Sequence, residues 1–249
     1  MGRVVFIGAG PGAADLITVR GQRLLAQAQV VLFDALTDPA LRAIAPDARW
    51  IDVGKRGFGH ATGQQAINAL LVAQAQAHDR VVRLKGGDPS IFGRLEEELQ
   101  ALAAVGIGFE IVPGVTSALA AAAEAARPLT RRGSGRTVSF TTAMTHLGAL
   151  QARRTADTEV FYMAGLQLPA LAAKLLEAGW PADAPVSVVS RAGWPDAIVS
   201  EHRVATLADA GALHAGRPAV VTVGAGGAPA AASSPGTDKA QGADPTPAT

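Results

Sequence analysis

The sequence predicts an α/β fold, and three observations carry that expectation. Short apolar, β-prone runs alternate with helix-patterned segments through the first 112 residues, the pattern of a parallel sheet covered on both faces. Two of those runs end in glycine-rich loops, Gly8-Ala9-Gly10-Pro11-Gly12 and Gly86-Gly87-Asp88-Pro89. Hydrophobic residues make up 49% and charged residues 17% of the 249, which is the balance of a globular chain with a substantial core.

In chain order, the first strand is read at 4–8 (Val4-Val5-Phe6-Ile7-Gly8). A helix over 19–28 follows, with Thr18 as its N-cap. Strands at 30–33 and 50–53 flank a helix near 38–44. The helix over 64–76 sets Ile67, Leu70, Leu71 and Ala75 on one stripe, which marks a core face. A strand at 81–84, a helix over 95–105 and a strand at 109–112 complete the first half.

After Pro113-Gly114 comes an alanine-rich helix over 115–126, opened by Thr116-Ser117. Strands at 137–142, 159–163, 186–189, 197–199 and 219–223, with helices near 168–177 and 207–213, read as a second α/β unit of more antiparallel character. The expected organisation is a domain over 1–113, a second over 114–224, and a disordered Gly/Ala/Pro/Ser/Thr tail over 225–249.

Composition narrows the function classes. A net charge of +1 offers no global attraction to nucleic acid or an anionic membrane. No apolar run reaches the ~18 residues of a membrane span, and a strand begins almost at once at the N-terminus, so a cytoplasmic protein is expected. Cysteine is absent, and the five histidines show no paired ligand spacing, so no metal is expected. Most of the 22 basic residues are arginines, whose planar fork suits carboxylates and phosphates.

The first glycine loop fits the dinucleotide fingerprint Gly-x-Gly-x-x-Gly/Ala, closing on Ala13, with Asp34 about 20 residues on. That motif alone reads as a nicotinamide-dependent oxidoreductase. Two details oppose it. Pro11 removes an amide from the loop, and a helix starting after Thr18 is displaced from the glycines that would hand it a phosphate. The second loop, at the end of Val81-Val82-Arg83-Leu84-Lys85, sits where small molecules bind in open α/β sheets, and clusters Arg83, Lys85, Asp88 and Arg94.

Seven blocks in order carry a resemblance: Ile7-Gly8-Ala9-Gly10-Pro11-Gly12, Phe33-Asp34-Ala35-Leu36, Gly54-Lys55-Arg56, Arg83 to Arg94, Val112-Pro113-Gly114-Val115-Thr116, Pro128-Leu129-Thr130 and Phe161-Tyr162-Met163. Together they resemble the tetrapyrrole methylases, and most closely the uroporphyrinogen-III C-methyltransferases, over residues 3–224. The resemblance implies two α/β domains with the cofactor and substrate cleft between them, as a homodimer. It implies S-adenosylmethionine as methyl donor and S-adenosylhomocysteine as product. The implied reaction methylates uroporphyrinogen III at C-2 and C-7 to precorrin-2, toward sirohaem or cobalamin; a later corrin precursor is the alternative substrate. Because the chain opens on the methylase motif, it implies the stand-alone form.

Carried over residue by residue, the cofactor site comprises Pro11, Gly86, Gly87, Asp88, Ile91, Thr116, Ser117, Met163 and Ala192. Asp34 becomes a proton acceptor and Lys55 a proton donor. An octacarboxylate substrate calls for guanidinium groups, for which Arg56, Arg83, Arg94, Arg131, Arg132 and Arg136 are candidates, with His60 in reach. Arg131-Arg132 equally suits a solvated surface pair. Departures fall mainly on the substrate side: Thr130-Arg131-Arg132 replaces the usual Thr-His-Arg, and Asp34-Ala35-Leu36-Thr37 lacks a basic residue after the aspartate.

Overall fold

The computed structural model describes residues 2–54, 63–143 and 150–230. Lys55, Arg56, His60 and residues 231–249 of the expected tail lie outside the described residues. Mixed α/β structure is organised on two five-stranded sheets.

The first sheet contains β1 (Arg3–Gly8), β2 (Val30–Phe33), β3 (Arg49–Asp52), β4 (Arg80–Lys85) and β5 (Phe109–Val112), in the order β3-β2-β4-β1-β5. All of its pairings are parallel. Such a sheet must bury both faces, and alternate residues of β1 divide accordingly. Val4 and Phe6 pack with Ile67, Leu71 and Leu102 of α2 (Gln64–Ala77) and α3 (Leu95–Ala103). Ile7 packs on the other face with Leu25 of α1 (Val19–Leu25). The stripe read from the 64–76 pattern is therefore core, with Ile67, Leu71 and Ala75 buried and Leu70 partly so. Thr18 caps α1 as expected, its Oγ1 accepting from Gly21 N at 3.1 Å.

The second sheet contains β6 (Val138–Thr142), β7 (Thr158–Tyr162), β8 (Pro185–Ser190), β9 (Ile198–Arg203) and β10 (Ala219–Gly224), in the order β6-β7-β10-β8-β9. Only β6 and β7 pair in parallel; the remaining pairings are antiparallel. One face packs on α5 (Leu168–Glu177) through Leu168, Leu171 and Leu175. The other receives α4 (Ser117–Glu124), whose Ala118, Ala120 and Ala121 meet Val160, Val189 and Val220. Alanine on α4 lets that helix approach the strands closely, which explains the composition of the segment.

Three sequence expectations change. The helix over 38–44 is a turn of 3₁₀ helix, Pro39–Ile44, started by Asp38 Oδ1 accepting from Ala40 N at 2.9 Å. The 207–213 helix splits into a 3₁₀ segment, Val204–Asp209, and the short α6 (Ala210–Leu213). The ordered chain also continues past 224. Ala225–Gly227 forms a 3₁₀ turn with Gly226 and Gly227 buried. Arg127 donates to Gly227 O and Arg131 Nε to Ala225 O at 2.7 Å, so distant guanidinium groups fix a stretch whose composition reads as disordered.

Candidate active site

The carboxyl ends of β1, β4 and β5 converge because glycine lets their loops interlock. Gly10 and Gly87 pair as an isolated antiparallel bridge, Gly87 N donating to Gly10 O at 2.7 Å. Gly8 and Gly114 are pressed so closely that a Cβ on Gly8 would stand 2.5 Å from Gly114 Cα. Asp88 ties the group together. Its Oδ1 accepts from Ser90 N at 2.8 Å and its Oδ2 from Gly114 N at 2.9 Å. The Gly87 amide is therefore engaged by protein rather than presented to a ligand, and Asp88 braces the loop it belongs to.

Facing these loops are the carboxyl ends of β7 and β8 and the start of β10, all at one end of the second sheet. A cleft of ≈ 520 Å³ lies between the two sets of strand ends. All nine residues expected to hold the cofactor line it: Pro11, Gly86, Gly87, Asp88, Ile91, Thr116, Ser117, Met163 and Ala192. Phe92, Met163 and Arg191, also on its wall, hold left-handed backbone (φ 51, 58 and 52), at a cost of roughly 1–3 kcal/mol each. Three such residues around one cleft mark it as shaped for something other than stability.

The lining also contains residues the sequence reading did not single out: Leu36, Phe92, Tyr162, Leu166, Arg191, Trp194 and Arg217. Tyr162 is buried, makes a 2.7 Å hydroxyl contact with Thr116 Oγ1 and meets the Phe92 ring edge-on at 5.0 Å. Burial pushes its phenol pKa up, against the pull of the Thr116 hydrogen bond. Its place directly before Met163 in the chain was the available signal. Leu166, Met163, Leu36 and Phe92 remain exposed around the opening, forming an apolar rim.

Asp34, just beyond β2, is one-third exposed and is absent from the cleft lining, which Leu36, two residues further on, belongs to. Its Oδ1 accepts from Arg83 Nη2 at 2.6 Å. The expectation that Arg83 meets substrate is corrected here. Its side chain is 2% exposed, and all three guanidinium nitrogens donate to protein, to Asp34, Glu98 and the Leu32 and Leu84 carbonyls. Lys85 Nζ meets Glu98 Oε1 at 3.1 Å, and burial with the neighbouring Arg83 charge pulls its pKa down against Glu98.

The other arginines also diverge from expectation. Arg131 spends its guanidinium on the Ala225 and Ala228 carbonyls, being neither a surface pair with Arg132 nor a cleft group. Arg94 forms a two-pronged pair with Glu97, both contacts at 2.7 Å, and Arg132 and Arg136 are exposed. None of Arg83, Arg94, Arg131, Arg132 and Arg136 lines the cleft; among the described residues the guanidinium groups that do belong to Arg191 and Arg217. Both pair with Asp196, and Arg191 lies 4.5 Å over the Trp194 ring.

The cleft fits a nucleoside-sized group with a charged end. A side chain on Gly86 would meet only Leu36 within 4 Å, so it would grow into the cleft rather than into packed protein. Ile91, Val189, Ala192 and Val220 give an apolar slot, while Asp88, Thr116 and Ser117 give polar atoms at one end.

Fold and cleft together define a class: two-sheet α/β proteins that take a small molecule between strand ends. Residues 3–208 match the family model of the tetrapyrrole (corrin/porphyrin) methylases. The chain is 41% identical over 220 residues to a sirohaem synthase of Psychrobacter cryohalolentis, covering 86% of this chain and 42% of that protein. A sirohaem synthase of Sodalis glossinidius is 43% identical over 229 residues, 90% of this chain and 48% of the relative. The chain thus spans about half the length of these curated relatives or less. Among solved structures, uroporphyrin-III C-methyltransferase of Thermus thermophilus complexed with S-adenosylhomocysteine superposes with a TM-score of 0.79 at 36% identity, covering 90% of this chain and 97% of that one. A cobalt precorrin-4 methyltransferase gives the same TM-score at 32% identity, over 91% and 96% of the two chains. This chain belongs to the tetrapyrrole methylase family.

Proposed function

We propose that the protein is an S-adenosylmethionine-dependent C-methyltransferase converting uroporphyrinogen III to precorrin-2 by methylation at C-2 and C-7. The observation that carries this reading is the convergence of all nine expected cofactor residues on one cleft. The 36% identity to a uroporphyrin-III enzyme solved with S-adenosylhomocysteine supports the same assignment.

When bound, S-adenosylmethionine supplies an electrophilic methyl on a sulfonium that departs as a neutral thioether. The protein's task is then to align the pyrrole carbon with that methyl, and positioning is the main source of acceleration. The apolar cleft walls hold the adenosine, Asp88 organises the loop beside its charged end, and the apolar rim receives the macrocycle face. Attack by the pyrrole π electrons forms the new C–C bond and leaves a quaternary carbon in a cationic ring. The ring regains neutrality by passing one proton to the Asp34 carboxylate, help worth roughly 10²–10⁴-fold. Lys55, the proton donor of this reading, and Arg56 lie outside the described residues. Among the described residues, exposed Arg94, Arg132 and Arg136 are the expected arginines left to meet substrate carboxylates, and Arg191 and Arg217 already stand on the cleft wall. The same reading includes a cytoplasmic homodimer.

A second reading has a specific observation behind it: the precorrin-4 enzyme superposes as well as the uroporphyrin-III enzyme does. Anaerobic incubation with uroporphyrinogen III and methyl-labelled S-adenosylmethionine separates the two. Two labelled methyls on the product support the first reading. Cofactor binding without transfer to uroporphyrinogen III, and transfer to a later corrin precursor, overturns it in favour of the second.

A further inference from the structure

Behind Asp34 lies a charged group that the reaction does not touch. Glu98, on α3, is 1% exposed and absent from the cleft lining. Its Oε1 accepts from Arg83 Nε at 3.2 Å, Arg83 Nη2 at 3.1 Å and Lys85 Nζ at 3.1 Å. Arg83 Nη1 is directed at Leu84 O, 3.2 Å away, and at Leu32 O, 3.5 Å away. These contacts leave the guanidinium plane a single setting, and in that setting Nη2 lies 2.6 Å from Asp34 Oδ1. Buried ion groups are a poor means of gaining stability, since desolvation offsets most of their attraction. What this group does achieve is geometric: a carboxylate on a helix fixes the position of a carboxylate at a strand end.

We propose that Glu98 is a positioning residue for Asp34, acting through Arg83. Glu98 clamps the fork of Arg83, Arg83 holds Oδ1 of Asp34, and Oδ2 is thereby the oxygen that takes the proton. Lys85 neutralises the second carboxylate of the group, so Arg83 is shared between Asp34 and Glu98 without excess negative charge behind the acceptor. This inference rests on the reading of Asp34 as proton acceptor.

The test is steady-state methyl transfer to uroporphyrinogen III by the full chain, with S-adenosylhomocysteine affinity measured by calorimetry on each variant. Glu98→Gln should lower kcat roughly 10- to 100-fold, the cost of a misplaced catalytic group, with KM and S-adenosylhomocysteine affinity within about twofold. In an Asp34→Asn background it should add no further loss, because a residue acting only through Asp34 has nothing left to position. An undiminished kcat, a full multiplicative loss on top of Asp34→Asn, or a kcat loss matched by lost cofactor affinity would each overturn the proposal. If Glu98→Gln does not fold, Glu98→Asp carries the test. It keeps the charge but withdraws the oxygen by one methylene; an intermediate kcat supports positioning, and a wild-type kcat overturns it. Full activity of Asp34→Asn itself would instead overturn the reading of Asp34.

Discussion

Asp88 shows how one side chain can both brace a scaffold and stand on a cleft wall. Each of its oxygens accepts from a backbone amide, Ser90 N on its own loop and Gly114 N on the loop after β5, and it also lines the cleft. Asp88→Ala leaves two amides without their acceptor, a destabilisation of ~1–3 kcal/mol by unmet hydrogen bonding. The loop should loosen at the same time, and S-adenosylhomocysteine affinity should fall roughly tenfold or more, since ~1.4 kcal/mol is a factor of ten. Asp88→Asn, keeping one acceptor oxygen, should fall between. Calorimetry and a denaturation midpoint on the same variants check this, and lowered stability with unchanged affinity would reduce Asp88 to a brace.

Among the secondary-structure elements, a buried histidine joins three of them. His214, next to α6, has Nδ1 2.9 Å from Ser190 Oγ of β8 and Nε2 2.8 Å from Ser200 Oγ of β9. His202 Nε2 meets the same Ser200 hydroxyl, and Arg217 donates to Ser190. Burial first, then the charges of His202 and Arg217, holds the His214 pKa below its ordinary 6.5. The unfolded chain therefore binds its proton first as pH falls. The stability contribution is whole above about pH 6.5 and is lost as pH drops from there toward the lowered folded value. Urea midpoints from neutral to mildly acidic pH should fall more steeply for the wild type than for His214→Asn; parallel profiles would exclude His214 as the cause. Histidine 214 also marks what the sequence could not disclose. Strands such as β2, Val-Val-Leu-Phe with every residue buried, are legible because burial on both faces demands an unbroken apolar run. Of the nine cleft-lining residues expected from the sequence, seven fall inside the ordered blocks, Ser117 directly follows one, and Ala192 stands apart from them. Arg83 and Arg131 are not legible, because their partners stand 15 and 94 residues away and only folding brings them together. Trp194 becomes a cleft residue through the same tertiary meeting, with no local pattern to announce it.

At the scale of the whole molecule, the cleft lies where two unlike sheets meet at their strand ends, and one of the contacts between them is a narrow one. Ala13 N donates to Gly193 O at 2.6 Å, and Trp194 Nε1 donates to Pro11 O at 3.1 Å. These bonds join the loop after β1 to the loop after β8, with Pro11, Ala192 and Trp194 all on the cleft wall. The approach is possible only because Gly12 has no side chain. A Cβ there would lie 2.4 Å from Gly193 C and 2.5 Å from Gly193 O, backbone atoms that cannot swing aside. Gly193 itself sits at φ +79, so its loop has little room to adapt. Gly12→Ala must therefore part the two loops, breaking both hydrogen bonds and widening the cleft beside Ala192. The expected outcome is a stability loss of ~1–3 kcal/mol, the usual cost of overpacking, together with a roughly 10- to 100-fold weaker affinity for S-adenosylhomocysteine. Gly108→Ala, where nothing lies within 4 Å of the added atom, should leave both quantities unchanged. Were Gly12→Ala to bind as tightly as the wild type, the contact between the loops would be a fastening for the fold alone, and the width of the cleft would be set elsewhere along the strand ends.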